Sequence, residues 1–207
     1  MSDPDTATKA DTSVDIPSYG KLSIAPDANA PLLVVFGGID VGGIQSGVYM
    51  WNYMANIKDK FHIFVALNNN VNGTQSYRSV METLKAKGLA PSRQILYLFS
   101  GGYKPGMSLL TSSDPNLFSS IYLVDIWMGE GKDHRSTVPN FYKALADKNA
   151  AKLTYVYTNF GANNDGARDY IAKKVGRAKA TLVHGGKNES GMQTHMRTNT
   201  VAIGALQ

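Results

Sequence analysis

The sequence predicts an α/β protein with a mostly parallel central sheet covered by helices. Three observations carry this expectation. Short apolar runs alternate along the chain with amphipathic stretches. The strongest runs, Leu32-Leu33-Val34-Val35-Phe36 and Ile95-Leu96-Tyr97-Leu98-Phe99, are continuously apolar, the pattern of strands buried on both faces. Twenty glycines and eight prolines punctuate the chain, as many short strand and helix connections require.

The elements follow in order. A weak strand over 22–24 precedes a strong one over 32–36, which Gly37-Gly38 close. Residues 47–57 carry Val48, Trp51, Met54 and Ile57 at a spacing of three, one face of a helix. A strand over 62–67 ends at Asn68-Asn69-Asn70. A helix over 75–87 has Thr74 as its expected N-cap and Gly88 as its stop. A strand over 95–99 leads to a short helix over 105–110 opened by Pro105. Strands over 121–124, 153–157 and 180–183 alternate with helices over 138–147 and 166–175, and 196–206 reads as a closing helix. The polar segment 1–18 is expected to be a flexible leader, and 19–207 a single domain.

Composition narrows the function. At 207 residues and 43% hydrophobic content, the chain suits one domain with a substantial core. It has no cysteine, which excludes disulfides and thiolate metal sites. The net charge of +5 is spread over helix-like segments rather than gathered in a basic stripe, which argues against a nucleic-acid partner. No apolar run approaches a membrane span and the N-terminus has no signal-peptide core, so a cytoplasmic protein is expected. Asn72-Gly73-Thr74 and Asn188-Glu189-Ser190 fit the glycosylation sequon and, without a secretory signal, read as chance matches. No His/Glu group has zinc spacing, and no cofactor is expected.

In a parallel sheet covered by helices, function gathers where the strands end. The strand 95–99 runs straight into Ser100-Gly101-Gly102-Tyr103. A serine at a strand tip, with glycine allowing a sharp turn behind it, is a way to expose a nucleophile. That chemistry needs a histidine to take the hydroxyl proton, a carboxylate to orient the histidine, and two N–H groups facing the developing oxyanion. Ser100 is followed by Asp125 at the next strand end and then by His195, expected in the loop before the closing helix. Asp165 is the other candidate acid and His184 the other candidate base. His62 reads as structural and His134 as a solvated loop residue.

After the leader, the chain resembles a small, lidless α/β-hydrolase. The resemblance lies in the strand order and in the Ser100-Gly101-Gly102-Tyr103 turn followed by Leu123-Val124-Asp125. It implies the chain order Ser, Asp, His and an oxyanion site built from Gly101 and the loop Gly38-Ile39, with Asp40 and Tyr103 near the mouth of the site. The implied activity is hydrolysis of an ester or related acyl bond. One residue departs from the pattern: the superfamily places a small residue two positions before the nucleophile, and here that position is Leu98. A catalytically silent, ligand-binding relative is therefore the alternative. A third reading takes 37–43 as the phosphate loop of a nucleotide or sugar-phosphate enzyme, although the segment forms neither a P-loop nor Gly-x-Gly-x-x-Gly.

Overall fold

The computed structural model describes residues 12–40, 42–126, 144–145, 147–148, 151–158, 172–176, 180–184 and 192–206. The expected helix over 138–147 lies mostly outside them, as do Asp165, His134 and most of the helix expected over 166–175. Among the described residues, eight strands form one sheet: β1 Ser13–Ile16, β2 Gly20–Ser23, β3 Leu32–Phe36, β4 His62–Ala66, β5 Gln94–Phe99, β6 Ser120–Val124, β7 Lys152–Tyr157 and β8 Ala180–His184. Their spatial order is β1-β2-β4-β3-β5-β6-β7-β8. The six strands from β4 to β8 are parallel, and β1 and β2 join as an antiparallel hairpin on one edge.

Why this sheet forms is visible in the alternation of its side chains. Leu32, Val34, Phe36, Leu96 and Leu98 face one layer of core, shared with Val80, Leu84, Leu109 and Leu110. Leu33, Val35, Ile95, Tyr97 and Phe99 face the other, shared with Met50, Met54, Ala202 and Ile203. Both faces are apolar, so both must be covered. Helices α2, Gly73–Ala86, and α3, Tyr103–Ser112, cover the first; α1, Ser46–Tyr53, and α4, Met192–Gly204, cover the second. Each large side chain fully buried there contributes about 1.5–3 kcal/mol relative to exposure.

Several boundaries differ from the sequence expectation, three of them with a clear physical cause. Strand β1 lies inside the 1–18 stretch read as a leader. Its four residues, Ser-Val-Asp-Ile, are too short and too polar to signal a strand alone; pairing with β2 and burial of Ile16 hold it in place. The N-cap of α2 is Asn72, whose side-chain oxygen accepts from the Gln75 N–H at 3.0 Å, rather than Thr74. The Thr74 hydroxyl instead bonds Ser108 and Ser112 of α3. The closing helix begins at Met192, which brings His195 into its first turn instead of the preceding loop. Gly88, at φ +70°, ends α2 as expected.

The order of strands fixes where chemistry can collect. From β3 the chain moves to β4 on one side, then crosses back so that β5 lies on the other side of β3. The loops leaving β3 and β5 therefore part in opposite directions. Such a switch point opens a crevice at the carboxyl edge of a parallel sheet. Gly37-Gly38 leave β3 there, and Ser100 leaves β5.

Candidate active site

Ser100 follows β5 directly and opens a tight turn, Ser100–Gly102, that runs into α3. Its backbone is left-handed, with φ of 51°. A non-glycine residue in that region costs about 1–3 kcal/mol and persists only where its surroundings enforce it. The surroundings are glycines. A Cβ on Gly102 would stand 2.1 Å from the Phe36 carbonyl oxygen, so only glycine lets the turn pass beneath the end of β3. A Cβ on Gly38 would stand 2.9 Å from the Ser100 Cβ and 3.2 Å from its Oγ. Any side chain at Gly38 would cover the hydroxyl.

Leu98 is buried, and its side chain lies against α3 at Gly106. A Cβ on Gly106 would come within 2.5 Å of Leu98 Cδ2. The absence of a side chain at Gly106 thus leaves room for Leu98 beneath the turn.

One backbone nitrogen and one side-chain nitrogen lie close to Gly101. The point a Cβ on Gly101 would occupy is 3.5 Å from the Ile39 backbone nitrogen and 2.8 Å from Asn69 Nδ2. Asn69 follows β4 and is buried. Sequence reasoning assigned it no role; the only available signal was its place just after a strand. The Ile39 loop is held by Tyr49 of α1, whose hydroxyl donates to the Ile39 carbonyl oxygen at 2.9 Å. Burial, chiefly, pushes the Tyr49 hydroxyl up to about 12, so it stays protonated as the donor.

On the next strand, Asp125 follows β6 with φ of 42° and is 1% exposed. A buried carboxylate is costly unless its oxygens are satisfied. Here Oδ1 accepts from the Thr158 N–H at 3.0 Å and Oδ2 from the Thr158 hydroxyl at 2.7 Å. The second oxygen also lies 2.6 Å from His195 Nδ1. Thr158, the residue just after β7, was visible in the sequence only as a strand end. The His195 ring stacks on Phe99, the neighbour of Ser100, with centroids 4.6 Å apart. Phe99 in turn meets the Tyr49 ring edge-on. The imidazole is thus fixed in its plane by Asp125 and across its face by Phe99, with Nε2 on the edge away from the carboxylate.

The remaining expected site residues fall as follows. Asp40 accepts from the Ser46 N–H at 2.8 Å and so satisfies the donor at the first residue of α1. Tyr103 is buried in the core at the first residue of α3. His62 is structural, its Nδ1 accepting from the Ala25 N–H. His184 is the last residue of β8. Among the described residues no group of His, Asp and Glu is placed to hold a metal, and no helix is long and apolar enough to cross a membrane.

No protein-family model matches the sequence, and no curated protein matches it. Solved structures do match in fold. The poly(3-hydroxybutyrate) depolymerase LpqC from Bordetella parapertussis is 13% identical at a TM-score of 0.59, over 91% of this chain and 83% of its own. Est1E from Butyrivibrio proteoclasticus is 11% identical at 0.57, over 90% and 92%. The esterase EaEST from Exiguobacterium antarcticum is 10% identical at 0.52, over 90% and 96%. With its switch point between β3 and β5 and its likeness to these proteins, the chain has the α/β-hydrolase fold.

Proposed function

We propose that this chain is a serine hydrolase that cleaves a carboxylic ester or related acyl bond. The observation that carries the reading is the buried Asp125–His195 pair, 2.6 Å apart, on the strand end beside Ser100. Ser100 Oγ attacks the carbonyl carbon as His195 Nε2 takes its proton. Asp125 keeps the His195 proton on Nδ1 and stabilises the imidazolium that forms. The carbonyl oxygen, now carrying the charge, accepts from the N–H groups of Ile39 and Gly101 and from the Asn69 carboxamide. The tetrahedral adduct collapses, and His195 passes the proton to the departing alkoxide. Water then repeats the sequence on the acyl-enzyme, releasing the acid and restoring Ser100.

Leu98 motivates the alternative of a catalytically silent relative. The absence of a side chain at Gly106 supports the catalytic reading instead, since it gives Leu98 the space that the turn requires. The direct experiment is labelling with a fluorophosphonate, followed by peptide mapping. Ser100 is expected to carry the label, and Asn69→Ala to slow labelling by about a hundredfold, the usual scale for one oxyanion donor. A folded protein that never labels at Ser100 contradicts the proposal.

A further inference from the structure

Four of the large apolar side chains that remain exposed, Ile39, Ile44, Val48 and Leu67, lie at the carboxyl edge of the sheet. The first three are each more than half exposed. Ile39 and Ile44 belong to the segment between β3 and α1. Ile39 stands beside Gly101, its Cγ2 being 3.4 Å from the Gly101 Cβ point. Ile44 is further along the same loop. Val48 is in the first turn of α1, which is seated on the end of β4 by the Gly47 N–H donating to the Leu67 carbonyl at 3.0 Å. Val48 and Leu67 then line a cavity of about 380 Å³, together with Ile16, Tyr19 and Trp51. That volume is in the range of small-ligand pockets, which are mostly apolar.

The cavity stands on the site's own side of the molecule. The hairpin turn between β1 and β2 extends the carboxyl edge of β4, with the Leu67 N–H donating to the Tyr19 carbonyl at 2.7 Å. The ends of β4 and β5 are two strand spacings apart, roughly 10 Å. The charged residues at the cavity do not favour an ionic ligand. Asp15 and Lys21, the charged residues lining it, are opposite in sign and direct partners across the hairpin, while the Lys21 and Lys58 ammonium groups lie over the Trp51 ring.

We infer that this track and cavity bind the hydrocarbon chain of the substrate, making the preferred substrates neutral esters with a medium-length alkyl acyl chain. The inference rests on the serine-hydrolase reading. The carbonyl carbon lies at Ser100, and the chain runs over Ile39 and Ile44 into the space beside Val48 and Trp51. Each methylene that leaves water there adds to binding. Contacts made equally in ground and transition states act on KM more than on kcat.

The test is a series of p-nitrophenyl esters, acetate, butyrate, octanoate, on wild-type protein and on Val48→Asp and Ile44→Asp, with fluorophosphonate labelling in parallel. Wild type is expected to prefer octanoate to acetate by about tenfold or more in kcat/KM, mostly through KM. Each variant is expected to reduce that octanoate-to-acetate ratio by about tenfold. Protein that labels at Ser100 but shows equal or reversed chain-length preference overturns this inference alone. Protein that never labels at Ser100 overturns the hydrolase reading and this inference with it.

Discussion

Strands β5 and β6 run side by side in parallel, with Phe99 paired to Val124, and each is followed directly by a residue in the left-handed region. Ser100 has φ of 51° and Asp125 φ of 42°. The backbone device is the same at both ends, and the surroundings are opposite. Around Ser100 the neighbours are glycines: Gly38 leaves the hydroxyl uncovered, and Gly102 lets the turn pass under β3. Around Asp125 the neighbours are donors: two groups of Thr158 and the ring of His195 meet its oxygens. A strained strand end thus turns a side chain toward the sheet edge, and packing decides its part in the chemistry. In the proposed mechanism the open serine attacks, and the saturated, buried aspartate orients.

Substitutions should separate the two strand ends. Replacing Ser100 with glycine relieves the left-handed strain while deleting the proposed nucleophile. Activity is expected to fall by about a millionfold, to background, while thermal unfolding shows a stability equal to wild type or higher by up to about 1 kcal/mol. Asp125→Asn keeps the shape of the other end and offers His195 an amide in place of a carboxylate. With the wrong tautomer then favoured, kcat is expected to fall by about ten-thousandfold, measured under saturating substrate. If Asp125→Asn leaves kcat near wild type, the orienting role is wrong.

The smallest effect concerns the turn itself. Gly106→Ala drives a methyl group into Leu98 and is expected to cost about 1–3 kcal/mol in denaturant unfolding. Combining it with Leu98→Ala should give less loss than the two single costs added, because one side chain makes room for the other. Strict additivity would mean that Gly106 does not accommodate Leu98.

These two strand ends also mark how far the sequence could be read. The parallel sheet was legible because β3 to β7 each carry a mostly apolar run of four or five residues that closes on a glycine or a polar residue. Ser100 and Asp125 were legible because each directly follows such a run. The hairpin strand β1 was not, since Ser13–Ile16 owes its conformation to pairing with β2 rather than to its own pattern. His195 was readable as a candidate base, but its element was not, because the start of α4 at Met192 lies before the apolar positions that signal the helix. Thr158 and Asn69 meet their partners across 33 and 32 residues of chain, at Asp125 and Gly101 respectively, and no local spacing announces such contacts. Leu98 looked like a defect because its compensation, Gly106, is eight positions away on another element.

The central claim is that Ser100, Asp125 and His195 act as one unit. The most direct test is to measure kcat/KM for Ser100→Ala, His195→Ala and the double variant on one activated ester. Groups that act together lose their contribution together, so the double variant is expected to be no slower than Ser100→Ala alone, with each single loss near a millionfold. Losses that simply multiply in the double variant, or a His195→Ala protein that retains wild-type activity, would contradict it.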